Sequence, residues 1–278
     1  MQEVRYVNIN KQRIPVLISD EHEALLAAKA AGRAIVGLWR PGGEEDWSPA
    51  EFLVEEPEDA DERFLERVVR RRLGLPWFIC GTERLKIREI FGDDYEEIWG
   101  NQVGHGFGSV EELEAYTRNQ YRFYEFGFWA VVERESGELA GIAGLTVCRE
   151  EEDGLETYWL GPDGAPLGAG SGAEAGKASE GGISGAEAGQ ASEVGIFSAE
   201  EPGQSQVLEL GYHIFRPYRR KGYGREACQA ILAYGREELG VFRYVARIRK
   251  ENTASRRLAE SLGFQRRTSG SDGENGKI

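Results

Sequence analysis

Cysteine is scarce in this chain. Its three cysteines, Cys80, Cys148 and Cys228, lie far apart in 278 residues and show no C-x-x-C spacing. The three histidines are scattered as well, so the pattern excludes a thiolate or imidazole metal cluster. Each cysteine sits in an apolar run and reads as a small core residue. No segment approaches the ~18 consecutive apolar residues of a membrane-spanning helix. The opening MQEVRYVNIN lacks the apolar stretch of a signal peptide. A soluble, reducing, cytoplasmic setting is the expectation. Excess positive charge is missing too: the net charge of −14 excludes a general nucleic-acid or membrane-surface binder.

What is present begins with enough apolar residues, 40%, to build a sizeable core in one large or two modest domains. Val4–Ile9 and Ile14–Ile18 read as strands. Asp20 followed by Glu23 fits a capping box that opens a helix, and Gly32 stops it. Ala34–Trp39 is a further strand, giving a small βαβ accessory domain over residues 1–75. Residues 41–62 hold ten acids and no Lys or Arg, an acidic connector. Phe64–Leu73 is a basic amphipathic helix with Leu65, Val68, Val69 and Arg72 on one side.

From residue 80 to 270 a second domain is expected. Thr82–Ile90, Phe128–Glu133, Leu139–Val147, Val207–Phe215 and Arg243–Arg249 carry strand patterns. Asp93–Trp99, Ser109–Phe126, Arg225–Leu239 and Thr253–Leu262 carry helical ones, the last with Ala254, Leu258 and Leu262 inward. Within this domain, residues 161–203 form a Gly/Ala/Ser/Glu insertion with a 13-residue repeat, SGAEAGKASEGGI followed by SGAEAGQASEVGI. So little of it can be buried that it reads as weakly ordered. A flexible loop of that length still lets 139–147 and 207–215 pair as neighbours, because closure entropy grows only logarithmically. Residues 269–278 are a polar tail.

The chemistry concentrates at 207–225, VLELGYHIFRPYRRKGYGR. A strand runs into a basic, glycine-containing turn and then a helix. Arg216, Arg219, Arg220, Lys221 and Arg225 stand there with no acid among residues 216–225. The leading N–H groups of a helix lack internal acceptors and carry partial positive charge. Gly222 and Gly224 let the backbone wrap a ligand. The combination reads as a pyrophosphate cradle.

Arg219-x-x-Gly222-x-Gly224 resembles the acetyl-CoA-binding motif of the GNAT acyltransferases. The run from Glu209-Leu210-Gly211-Tyr212 through Asn252-Thr253-Ala254-Ser255 to Leu262-Gly263-Phe264 resembles the ribosomal-protein N-terminal acetyltransferase branch. The likeness covers about residues 80–267 and leaves the N-terminal extension unfamiliar. It implies an α/β (α+β) fold, a mixed, mostly antiparallel sheet flanked by helices. It also implies acetyl-CoA as acyl donor with no metal, and direct transfer to a primary amine on a protein N-terminus or a small molecule.

The same resemblance places the pantetheine arm along Ile214, Phe215 and Arg216, and the diphosphate on Arg219, Arg220, Lys221, Gly222, Tyr223, Gly224 and Arg225. Asn252 and Ser255 fall on a cofactor-contacting position that also reads as a helix cap. Glu209 is the candidate general base, or an ordinary polar residue on the strand's outer face. Tyr212 and Tyr223 are candidate proton donors to sulfur, or packing aromatics. Ala259 stands where some relatives carry a catalytic tyrosine. A second reading keeps the acyl-CoA cradle and drops the catalysis, leaving a sensor or scaffold. The acidic connector and basic helix leave open a protein-interaction module.

Overall fold

The computed structural model describes residues 1–39, 49–101, 107–148, 154–161 and 207–266. The 13-residue repeat and the polar tail lie outside them. Packing divides the chain into two units: 1–146 with 210–234, and 147–209 with 235–278.

The first unit opens with strands β1 (Gln2–Ile9) and β2 (Gln12–Ser19), paired antiparallel from Gln2↔Ser19 to Ile9↔Gln12. The turn between them holds Asn10 at φ 50° and Lys11 at φ 66°. Two left-handed residues in succession match the twist of a tight hairpin. Helix α1 (His22–Ala30) then crosses to β3 (Ala34–Leu38), parallel to β2 with Val16 opposite Ala34. This is the expected βαβ unit. Its helix start differs from expectation. Glu21 is the N-cap and makes no side-chain cap bond, and the Asp20 carboxylate pairs with the Met1 amine. The Ser19 hydroxyl accepts the Glu21 N–H at 3.0 Å, a turn bond just ahead of the helix.

The acidic connector contributes a fourth strand, β4 (Leu53–Val54), parallel to β3. Helix α2 (Glu62–Arg72) starts at Asp61, whose carboxylate accepts the Phe64 N–H at 2.7 Å. Leu65, Val68 and Val69 are buried against Val7, Val16, Ile18 and Val36 of the first sheet. Arg72, placed on that side from the sequence, is exposed: three apolar positions already fill the stripe.

The rest of the unit is a second sheet with its helices: β5 (Phe78–Gly81), β6 (Leu85–Glu89), α3 (Tyr95–Gly100), α4 (Val110–Phe123), β7 (Phe128–Glu133) and β8 (Leu139–Val147). The antiparallel pairings β5–β6, β6–β7 and β7–β8 put these strands in order. The strand Val207–Ile214, here β10, adds to β8. The expected neighbouring of 139–147 and 207–215 is therefore present. Backbones approach closely there: a Cβ on Gly141 would lie 2.4 Å from the His213 carbonyl oxygen. Ile90, Leu113, Ala130, Ile142 and Phe215 share one buried cluster under this sheet. Helix α5 (Tyr223–Glu237) follows β10 through a short 3₁₀ turn at Arg216–Tyr218.

The second unit contains β9 (Leu155–Leu160), β11 (Arg243–Arg249), α6 (Thr253–Ser261) and β12 (Gln265–Arg266). β11 and β12 both pair antiparallel with β9. The first three residues of β10 pair parallel with β11, Val207↔Arg243 to Glu209↔Val245. On α6 the buried residue is Ala259 at 3% exposure, while Ala254 faces solvent, so the inward stripe is turned from its expected phase. The resulting class is mixed α/β, mostly antiparallel, with helices on the sheets.

Candidate active site

The turn after β10 is held by contacts from well outside its own sequence. Gly222 has φ +85°, a conformation that side chains resist, and Arg220 sits at φ 63°. The first bond of the α5 ladder runs from the Glu226 N–H to the Gly222 carbonyl at 3.1 Å. The N–H groups of Gly222, Tyr223, Gly224 and Arg225 therefore precede any intrahelical acceptor. Those four donors, with the helix dipole behind them, form a ready anion site.

Arg84, on the turn entering β6, braces this site. Its Nη1 donates to the Lys221 carbonyl at 3.0 Å and its Nε to Glu226 at 2.8 Å, and its guanidinium stands 4.8 Å from the Tyr223 ring centroid. The Thr82 hydroxyl donates to the same Glu226. Burial raises the Glu226 carboxyl, but the bonds from Thr82 and Arg84 outweigh it and hold the group below its ordinary value. Glu226 is thus a fixed anion one residue past the basic run.

Two further carboxylates reach the turn from β7 and the β7–β8 hairpin. Glu133 accepts the Tyr223 hydroxyl and lies 3.7 Å from Lys221 Nζ. Hydrogen bonds from Tyr223 and then Ser136 hold it below the usual carboxylate range. Glu138 accepts the Tyr218 hydroxyl, which pushes that phenol up to about 12. Tyr223 is 7% exposed and its phenol is raised by the same kind of bond to Glu133. Its hydroxyl proton is directed at that carboxylate. The sequence offered a purely basic turn; the folded turn is a set of cations bracketed by three acids.

The remaining cations divide. Arg219 is used internally, its Nε donating to the Ile214 carbonyl at 2.8 Å and its Nη2 facing His213 at 3.4 Å. Arg216, Arg220 and Arg225 are exposed, and none makes an ion pair among the described residues. Ile214 and Phe215 are buried, at 7% and 2%, so a ligand would have to approach them along the backbone. Part of that backbone is engaged: the Phe215 N–H donates to Ala140 at 2.9 Å and its carbonyl accepts from Tyr218 at 2.9 Å. Tyr212 is half-buried on β10.

Glu209, Asn252 and Ser255 belong to the second unit. Glu209 is half-buried, and its carboxylate faces Arg247 Nη1 at 3.4 Å. The Arg247 side chain is 7% exposed, and its Nη2 lies 3.3 Å from Cys148 Sγ. Nothing in the spacing of 209 and 247 signals this pair; it follows from adjacent parallel strands. Asn252 caps α6, its Oδ1 accepting the Ser255 N–H at 3.1 Å. No cluster of three or more potential metal ligands occurs among the described residues. Nor is any described helix long and apolar enough to cross a membrane.

Comparison with known proteins agrees with the turn's geometry. Residues 177–265 match the family model described as the acetyltransferase (GNAT) domain. That stretch is thus similar to the GNAT acetyltransferase domain. The uncharacterized N-acetyltransferase YnaD of Bacillus subtilis (strain 168) is 42% identical over 63 residues, 22% of this chain and 36% of YnaD. The uncharacterized N-acetyltransferase p20 of Bacillus licheniformis is 40% identical over 58 residues, 21% of this chain and 33% of p20. The match therefore spans about a third of the length of these curated relatives. A GNAT-family acetyltransferase structure from Bacillus anthracis is 19% identical, with a TM-score of 0.37 over 66% of this chain and 81% of that one. A ribosomal-protein-S5-alanine acetyltransferase from Vibrio fischeri is 12% identical, with a TM-score of 0.40 over 66% of this chain and 80% of that one.

Proposed function

We propose that the chain is an acetyl-CoA-dependent N-acetyltransferase that transfers an acetyl group directly to a primary amine. The observation that carries this reading is the left-handed Gly222 turn presenting four uncommitted helix-start amides within the GNAT-matched stretch. In this reading those amides hold the CoA diphosphate. Exposed Arg216, Arg220 and Arg225 meet its phosphates, and Lys221 contributes its ammonium. The pantetheine arm lies along the backbone of Ile214, Phe215 and Arg216, and Asn252 and Ser255 complete the donor site.

Acyl transfer needs a neutral amine, donors for the oxyanion and a route for the thiolate proton. Glu209 serves as general base, oriented by Arg247, and Tyr212 is the acid that returns a proton to sulfur. Backbone N–H groups of β10 supply the oxyanion donors. Residues 1–75 act as an accessory domain, and the acceptor amine belongs to a peptide N-terminus, as in the ribosomal-protein branch, or to a small molecule. Three cysteines, none of them in a disulfide, fit a reducing cytoplasm. Thiol release from acetyl-CoA with a panel of amines, beside calorimetry with CoA alone, tests the proposal. Turnover with any amine supports it. Binding without release on every amine replaces it with the acyl-CoA sensor, and absence of CoA binding removes both.

A further inference from the structure

A cleft of about 610 Å³ lies within the first unit, between the first sheet with α2 and the face made by the end of β6 and α4. That volume is in the range of small-molecule sites, ~300–1,000 Å³. Its charge is lopsided. Lys29, Arg33, Arg71, Arg72, Arg118 and Arg122 line it against three acids, Glu51, Glu89 and Glu114. Apolar surface from Phe52, Leu75 and Phe91 lies between the charged groups.

Half of these cations are spent on the protein. Lys29 donates to the Pro49 carbonyl at 2.9 Å, Arg122 stands 3.9 Å from Glu51, and Arg71 binds Glu89 at 2.7 Å. Arg33, Arg72 and Arg118 make no ion pair among the described residues. Arg71 is fixed at the cleft wall. Its Nε and Nη2 both donate to Glu89 Oε1, at 3.0 and 2.7 Å, while Glu89 Oε2 takes the Trp77 N–H at 3.2 Å. Its Nη1 is buried and has no hydrogen-bond partner, although the residue lines the cleft.

We infer that this cleft is a binding site for a small organic anion, a phosphate monoester or carboxylate carried on a compact apolar body. The anion gathers Arg33, Arg72 and Arg118, which arrive from three different parts of the chain. The apolar body meets Phe52, Leu75 and Phe91. A cationic ligand is rejected by the surplus positive charge. None of the residues assigned to the acyl donor lines the cleft, so the inference stands apart from the acetyltransferase reading.

The test is calorimetry on the full chain with phenyl phosphate, benzoate and benzylamine as probes of matched size. Expected is binding of phenyl phosphate, alone or with benzoate, no binding of benzylamine, and an affinity that falls as salt rises. Benzoate binding extends the site to carboxylates; its failure restricts it to dianions. The double variant Arg33→Gln/Arg118→Gln alters exposed side chains and keeps the wild-type melting temperature. It lowers anion affinity by roughly tenfold, the loss expected for charge-assisted contacts. Gly222→Glu leaves that affinity unchanged. The inference is overturned if neither anion binds, if the double variant binds as wild type does, or if Gly222→Glu abolishes binding.

Discussion

Adding a carboxylate at Gly222 separates backbone strain from ligand conflict, provided a second glycine serves as control. Gly137 has φ +76° and open space around it, while a Cβ on Gly222, at φ +85°, meets Arg84 Nη2 at an ordinary 3.4 Å. Neither position is crowded, so both substitutions are opposed by the same left-handed backbone, about 1–2 kcal/mol each. For a chain of this size that lowers the melting temperature by roughly 2–8 °C. Only Gly222→Glu brings a negative charge to the helix-start amides. At ~5 Å from one phosphate charge and an effective dielectric near 20, the repulsion is about 3 kcal/mol. Exposure of the site and salt screening halve that, leaving about tenfold in CoA affinity. Differential scanning fluorimetry and calorimetry with CoA read the two quantities separately. Equal thermal losses with a CoA defect confined to Gly222→Glu support the cradle. An unchanged CoA affinity in Gly222→Glu, or the same defect in Gly137→Glu, refutes it.

Glu209→Gln is expected to reduce thiol release by at least about tenfold, within the usual reach of a general base, with CoA affinity little changed. If turnover survives, the base is elsewhere. Phe215→Ala removes a ring that is 2% exposed in the core cluster under β10 and is expected to destabilise the fold by about 3–5 kcal/mol in urea unfolding. A loss below 1 kcal/mol would contradict that packing. His213 titrates below its ordinary value, first because burial disfavours the imidazolium and second because Arg219 faces it. The unfolded chain therefore takes up the proton first. The contribution of the neutral ring to stability is full above about pH 6.5 and is lost as pH falls through that value toward the lower folded one. His213→Gln should flatten the stability profile between pH 7 and 5; a profile identical to wild type would place the titration in another group.

Strands β7, β8 and β11 were legible to the residue because their alternation or apolar run is unbroken. β9 was not legible, and its burial shows why. Its inward face is Glu156, Tyr158 and Leu160, while Leu155, Thr157 and Trp159 are half-buried on the other side. Both faces carry apolar residues and the inward one carries a charge, so no period of two survives. Glu156 tolerates that position because Arg256 at 3.7 Å and Arg266 at 2.9 Å pair with it. β5 has four residues, too few for any pattern. The β1–β2 turn was hidden by Lys11, a residue rarely placed in the left-handed region.

The cradle shows the limit of local reading more sharply. Its glycines, its arginines and the start of α5 could be read from the sequence because they lie within ten residues of one another. The acids that set its net field could not. Glu133 and Glu138 lie 90 and 80 residues before the tyrosines they accept from, and Arg84 lies 142 residues before Glu226. These contacts change what the turn can select. With Lys221 shared with Glu133 and Arg84 bound to Glu226, the side-chain charge near the helix start is largely balanced. Selection for an anion then rests on the directed N–H groups, which fix geometry, more than on diffuse positive potential, which attracts any anion. The exposed, unpaired Arg216, Arg220 and Arg225 remain for a ligand with several separated phosphates. Under the proposed function, these three side chains are the ones that would meet the separated phosphates of an acyl-CoA, while the amides hold its diphosphate.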